Sequence, residues 1–340
     1  MDISSFNPDF RNKESGRISQ RPDLLSELQK GSKQALAKAI TLTESTRPED
    51  RQVVREIVQQ CNHEGKSIRI GITGVPGVGK STFIDQLGNY LIREKNKKVA
   101  VLAVDPSSGR SGGSILGDKT RMEKLVLNDS AYIRPIPSRK ELGGVTSGLS
   151  DAIVLAEEAG FDVVFVETVG VGQSETEVSQ LVDIIVFLLL PNSGDDLQGI
   201  KRGIMEEVHI VAINKSEGEN LPSAKKTKML LDTVLQIMPG PVEGEKREVL
   251  LCSAQDGNGI KELWESISGL QNRIEKSAWL RENRKLQKVN RLQYYLDSLL
   301  RDSFYHNSNV SDAIAKYTKE VELGKMDAYN AALEIFKNFK

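Results

Sequence analysis

The sequence predicts an α/β protein: a mostly parallel sheet with crossover helices, preceded by one helical region and followed by another. Three observations predict it. Short β-branched runs alternate with helical stretches from Ser67 to about Ser253, the pattern of a parallel sheet whose strands are joined by helices. A glycine-rich turn, Gly74-Val75-Pro76-Gly77-Val78-Gly79-Lys80-Ser81-Thr82, stands between an apolar strand and a helix. Both ends of the chain carry apolar residues at helical spacing.

In order, Leu25, Leu28, Leu36 and Ile40 mark a first helical segment, and Val53, Val54, Ile57, Val58 and Cys61 a second. Thr46 to Glu49 reads as a capping box with Pro48 in the first turn. Residues 1–66 form a helical preface packed on the domain that follows. Six core strands are expected over Ile68 to Thr73, Val99 to Val104, Val163 to Glu167, Ile184 to Leu190, Ile210 to Asn214 and Val249 to Cys252, with a shorter one over Tyr132 to Ile136. Each ends where polar or glycine residues begin, so the functional loops gather at the carboxyl edge of one domain, 67–258. Residues 259–340 are helical, with Leu286, Val289, Leu292, Leu296 and Leu299 in one stripe and Met326, Tyr329, Leu333 and Phe336 in another. Such stripes bury against the chain's own core or against a second copy in a dimerisation arm; both readings stand at this level.

A chain of 340 residues is long enough for a sizeable core. Its formal net charge of −1 gives no electrostatic case for nucleic acid or for a polybasic membrane patch. Two cysteines, Cys61 and Cys252, make no disulfide framework and share no metal-ligand spacing with His63, His209 or His306. The first residues lack the order of a signal peptide, and the longest apolar run, Ile184 to Leu190, is too short to span a bilayer. A cytoplasmic protein is expected.

The glycine-rich turn has the form of a P-loop. Glycines let the main chain curl so that successive N–H groups face a phosphate, the Lys80 ammonium reaches the β/γ-phosphates, and the Ser81 hydroxyl is a ligand for Mg²⁺. A triphosphate needs metal neutralisation, which directs attention to acids at the ends of strands neighbouring the P-loop strand. Asp105 and Glu167 each close a strand, where each serves either the metal or as a cap for the next turn; Asp118 lies in the glycine-rich stretch Gly109 to Lys119, where a solvated carboxylate is equally ordinary. Glu167-Thr168-Val169-Gly170 has the form of a loop that senses a γ-phosphate through the Gly170 N–H. Asn214-Lys215-Ser216-Glu217 and Ser253-Ala254-Gln255 end two later strands and suggest base recognition. A carboxylate accepts the ring N–H and exocyclic amine of guanine together. Glu217 is one methylene longer than the usual Asp, which leaves ATP or relaxed specificity open beside guanine. The stretch Pro191 to Gly203 reads either as a mobile switch or as a surface loop entering a helix near Leu197.

These residues, together with Val104-Asp105-Pro106-Ser107-Ser108, Gly112 to Met122, Leu142-Gly143-Gly144, Glu167 to Glu175 and Asp196 to Lys201, resemble the MeaB/ArgK family of G proteins. That family comprises GTPase chaperones of adenosylcobalamin-dependent methylmalonyl-CoA mutase, in the class that includes signal-recognition and metallochaperone GTPases. The resemblance implies a homodimer, a mutase partner, and use of GTP/GDP and Mg²⁺ to gate cobalamin delivery and protect the mutase. It implies catalytic roles for Lys80, Asp118 and Glu167, beside which Gln173, the glutamine nearest Gly170, is a further catalytic candidate, and a metal set of Ser81, Asp105, Asp118 and Glu167. The nucleotide set is Gly74 to Thr82 with Gly170, Lys201, Asn214, Lys215, Glu217, Ser253, Ala254 and Gln255. Departures from the family pattern are Glu217 and the segment Arg139-Lys140-Glu141-Leu142.

The expected activity is GTP hydrolysis that is slow alone, because no glutamine directly follows Gly170 and no arginine is fixed as a finger, although Arg110 and Arg121 are at hand. Two rival readings are an ATPase energising lysine/arginine/ornithine transport and a small-molecule P-loop kinase.

Overall fold

The computed structural model describes residues 21–45, 47–61, 67–105, 122–137, 144–168, 177–192 and 202–339. The sequence-level assignments at Asp118, Gly170, Gln173, Lys201 and Thr46 lie outside these residues.

Three helices come first, α1 (Arg21–Gln29), α2 (Lys33–Thr43) and α3 (Pro48–Gln59). The α2 N-terminus is capped by Ser32, whose side chain accepts from the Ala35 amide. Helix α3 begins at Pro48, so its N-cap is Arg47, which makes no side-chain cap hydrogen bond. The reason is local: proline's fixed φ and missing N–H suit the first helical position, which moves the cap to the residue before it. Ser45 serves the entry instead, its Oγ accepting from the Arg47 amide at 3.2 Å and donating to Asp50 at 2.7 Å.

Seven strands follow: β1 (Ile68–Gly74), β2 (Val99–Asp105), β3 (Ala131–Pro137), β4 (Val163–Glu167), β5 (Ile184–Leu189), β6 (Ile210–Ile213) and β7 (Glu248–Leu251). They form one sheet in the order β3-β2-β4-β1-β5-β6-β7 with every neighbour parallel. The strand expected to be short, around Tyr132, runs seven residues and pairs with β2 along its whole length. Strands β1, β4 and β5 are buried at every position, as central strands covered on both faces must be.

One face is covered by α4 (Lys80–Lys95) and α8 (Ile260–Lys276), whose Phe83, Ile84, Leu87, Leu91, Leu263 and Ile267 join the sheet residues in a continuous core. The other carries α5 (Gly144–Glu158), with α1, α2 and α3 packed outside it. Leu28, Leu36 and Ile40 are fully buried there, each such side chain contributing about 1.5–3 kcal/mol. Helices α6 (Arg202–Glu207) and α7 (Leu221–Ile237) flank the β6/β7 edge, and α9 (Trp279–Tyr305), α10 (Ser308–Glu322) and α11 (Ala328–Lys337) complete the chain.

The chain divides into two compact units after Gln287, rather than near Gly259 as the sequence suggests. The difference comes from α8, whose apolar stripe is spent on the sheet's own core. In the second unit, Phe304 stacks on Phe336 with centroids 5.8 Å apart, and Val310, Ala313 and Ala331 are buried.

At the amino edge of the sheet lies a buried polar clasp. Arg69, in β1, donates to both carboxylate oxygens of Glu157 at 2.9 and 2.7 Å and to Gln287 Oε1 at 2.8 Å. Asp183 accepts from the Arg69 amide and from both Nε and Nη2 of Arg284. Its charges are thus matched where water is excluded.

Candidate nucleotide site at the carboxyl edge

The phosphate cradle grows from β1. Gly74, the last strand residue, has φ +148, and a Cβ there would lie 2.3 Å from the Leu188 carbonyl oxygen of neighbouring β5, so only glycine fits. Gly79 caps α4 in the left-handed region at φ +93. Between them the Val78 amide closes a turn onto the Val75 carbonyl at 3.3 Å, while Pro76 and Gly77 are exposed. The α4 N-terminus therefore opens directly beneath the turn, where backbone amides and the helix dipole favour an anion. The Lys80 ammonium is buried in the loop's own curl and donates to the Gly74 carbonyl at 3.0 Å.

Strand β4 lies directly beside β1, with Glu167 level with Ile72. Its carboxylate accepts from the Ser81 hydroxyl at 2.9 Å, so these two predicted metal ligands are brought together. Thr168 continues the pairing, its amide donating to Ile72 and its hydroxyl to Thr73 at 3.0 Å. The expectation that Asp105 ends a strand neighbouring the P-loop strand is corrected by the sheet order: β4 intervenes between β2 and β1. Because Glu167 is level with both Ala103 and Ile72, Asp105 and Gly74 each lie two residues beyond it, flanking it along the same edge. Parallel neighbours are set by the crossovers, which strand sequences do not encode.

The predicted base corner is assembled across the β6/β7 edge. Asn214 bridges its two sides: Nδ2 donates to the Val78 carbonyl at 2.8 Å, and Oδ1 accepts from the Ala254 amide at 2.9 Å. Lys215 is held at φ +59, and its ammonium donates to Gly77 at 3.0 Å. Glu217 is half-buried, and its Oε2 is buried without a hydrogen-bond partner among the described residues. Burial, reinforced by the Glu217 charge, pushes the Cys252 thiol up to about 12, so this cysteine is an inert packing group. Ser253 turns inward and accepts from the Asp256 amide at 3.1 Å, whereas Gln255 and Thr82 are exposed.

Sequence reasoning missed two supports. Asp256-Gly257-Asn258-Gly259 shapes the turn after β7, with the Gly257 amide donating to Ser253 at 2.9 Å and Gly259 at φ +75 against Leu251. The run of turn formers was its signal. The hydroxyl pair Thr73–Thr168 had none, since it exists only once β1 and β4 are adjacent.

Residues 36–309 match a family described as methylmalonyl Co-A mutase-associated GTPase MeaB. The chain is 42% identical over 286 residues to GTPase ArgK of Escherichia coli, covering 83% of this chain and 85% of that one. It is 38% identical over 328 residues to the mitochondrial methylmalonic aciduria type A homolog of Mus musculus, covering 93% and 79%. Its fold is similar to the crystal structure of a protein named LAO/AO transport system kinase, with a TM-score of 0.70 at 30% identity over 98% of this chain and 99% of that one. With a glycine-built cradle on a seven-stranded parallel sheet inside the matched span, the chain belongs to the MeaB family of P-loop GTPases.

Proposed function

We propose that this protein is a cytoplasmic, Mg²⁺-dependent GTPase chaperone of an adenosylcobalamin-dependent acyl-CoA mutase of the methylmalonyl-CoA mutase type. It gates cofactor delivery and protects the mutase. The observation that carries the reading is the match over residues 36–309 to a mutase-associated family, with the phosphate cradle formed inside that span.

The residues fit the nucleotide and the ion. Ser81 and Glu167 present hard oxygen donors side by side, the chemistry Mg²⁺ selects, and phosphate and water would complete its shell. When bound, Mg²⁺ neutralises charge on the phosphates. The amides of Gly74 to Thr82 hold those phosphates, and Lys80 stands ready to exchange the Gly74 carbonyl for a phosphate oxygen. Glu167, with Asp105 flanking it, orients the attacking water; a new O–P bond forms as the β–γ bridge breaks, giving GDP and phosphate. The resemblance adds Asp118 and Lys201 to this machinery, and the loop after Glu167 adds Gly170 and Gln173. Guanine is read by Glu217, whose buried Oε2 is an acceptor without a donor among the described residues, while Asn214, Lys215 and the Ser253–Gln255 turn brace the corner. Leu286, Val289, Leu292, Leu296 and Leu299 are 44–60% exposed along α9, a stripe suited to a homodimer.

Co-purification with a candidate mutase, with and without a non-hydrolysable GTP analogue, tests the proposal. A complex whose stability responds to the analogue, with GTP turnover raised on the order of 10³-fold, is expected. Absence of any complex in either state removes the chaperone role.

A second reading, an ATPase or kinase in amino-acid transport, is favoured by the likeness to the LAO/AO transport system kinase. No helix among the described residues is long and apolar enough to cross a membrane. Efficient displacement of a labelled GTP analogue by ATP, or transfer of phosphate to an acceptor instead of release, would revive it.

A further inference from the structure

Arg247 is a buried arginine without a carboxylate. It is 8% exposed, and among the described residues it forms no ion pair. Its fork is spent on main-chain carbonyls: Nη1 donates to Met205 at 2.7 Å, and Nη2 to Leu235 at 3.1 Å and Met238 at 2.7 Å. Met205 lies in α6, while Leu235 and the C-cap Met238 end α7. These are carbonyls that a helix end leaves without intrahelical partners, and a planar guanidinium reaches several of them at once where an ammonium cannot. Gly240 makes the room: a Cβ there would lie 3.2 Å from Arg247 Cδ and 3.3 Å from Nε. The arrangement is therefore built around the whole side chain, and it withdraws a charge from water with only dipoles to receive it.

Its location gives that cost a use. Arg247 directly precedes β7, and α6 directly precedes β6. The two strands have four residues each, in register from Ile210–Glu248 to Ile213–Leu251. Their far ends release Asn214, Lys215 and Glu217 on one side and Ser253 and Ala254 on the other. So short a ladder at a sheet edge has few bonds with which to fix its own register, and a slip of one residue would turn every side chain over. Arg247 ties together the entry to β6, the entry to β7 and the end of α7, the helix that leaves the Glu217 loop.

We propose that Arg247 is a positioning residue for base selection, holding β6 and β7 so that Asn214 and Glu217 face the purine. This rests on the base assignment made above. It makes guanine preference, rather than phosphate grip, the property Arg247 controls, since Lys80 and Ser81 are placed by Gly74 and Glu167 on β1 and β4, and Asn214 and Lys215 meet the cradle only at the Val78 and Gly77 carbonyls.

The test uses the full chain carrying Arg247→Lys or Arg247→Met, titrated with Mg·GDP and Mg·ADP. The preference for GDP over ADP is expected to fall about tenfold or more, through weaker GDP binding, with ADP affinity within about twofold of the unaltered protein. KM for GTP rises while kcat at saturation stays within about twofold. A folded Arg247→Lys protein with its preference intact overturns the proposal, because a purely structural arginine would lower only the melting temperature. Hydrogen exchange on the unaltered protein supplies a measurement that needs no variant. GDP is expected to slow exchange over residues 205–209 and 235–248 more than inosine diphosphate does, as the two differ only at the base. Equal protection overturns the proposal. No guanine preference in the unaltered chain would instead remove the base assignment itself, a separate result.

Discussion

Replacing Glu157 by glutamine tests whether the clasp beneath β1 holds the nucleotide domain together. The Glu157 side chain is 0% exposed and Arg69 7%, and the pair is bidentate at 2.9 and 2.7 Å. Glutamine retains one acceptor but sets an amide N–H against a guanidinium N–H. It also deprives the Arg69 guanidinium of its bidentate carboxylate in a dry site, with Gln287 Oε1 still accepting from it. Breaking one partner of a buried pair costs about 3–5 kcal/mol, a large share of the roughly 5–15 kcal/mol that holds a domain folded. For a unit of this size that is a fall of about 5–8 °C in Tm. Urea unfolding followed by tryptophan fluorescence is the assay, because Trp264 and Trp279 both lie in the first unit. The double variant Arg69→Met, Glu157→Leu removes both charges and is expected to recover to within about 1–2 kcal/mol of the parent, the remainder being the lost donor to Gln287. A cost below about 1 kcal/mol for Glu157→Gln, or a double variant as unstable as the sum of its singles, refutes this role for the clasp.

Three further outcomes are expected. Ser81→Ala removes the hydroxyl that meets Glu167, so calorimetry should find nucleotide binding no longer strengthened by Mg²⁺, and kcat should fall on the order of 10²-fold or more. Glu217→Gln replaces an acceptor with a donor: GTP affinity should fall about 10–100-fold while xanthine nucleotide gains, and unchanged GTP binding would remove Glu217 from base recognition. His209 is buried, its Nδ1 accepting from the Ile185 amide at 3.2 Å, and burial pulls its pKa from 6.5 to about 4. It is neutral when folded but protonates when unfolded, so its contribution is complete above pH 6.5 and is lost as pH falls towards 4, at up to about 1.4 kcal/mol per pH unit. His209→Asn should flatten the urea-derived stability profile in that window relative to the parent; identical slopes would contradict the assignment.

Local patterns are legible wherever a short stretch of chain defines its own environment. The strands can be read to within a residue or two because uninterrupted Val and Ile runs bounded by glycine suit central parallel strands. The phosphate turn is readable because its glycines, lysine and serine work through neighbouring backbone. Elements that depend on distant partners are not so readable. The cap expected at Thr46 falls one residue later because Pro48 selects its own position. The α8 stripe, Ile260 to Ile274, looks the same whether it covers this sheet or a separate arm, and only the core it enters tells which.

The sequence by itself determined the parallel α/β class, the cradle from Gly74 to Ser81 and the family, since these are written in contiguous residues whose spacing carries the chemistry. The tertiary structure alone decided that β4 rather than β2 adjoins β1, that Ser81 meets Glu167, that Asn214 joins the cradle to the turn after β7, and that Arg247 gathers two helix ends. Each of those contacts joins residues from separate elements, and their proximity is fixed by how crossovers order the strands, a property of the packed chain as a whole.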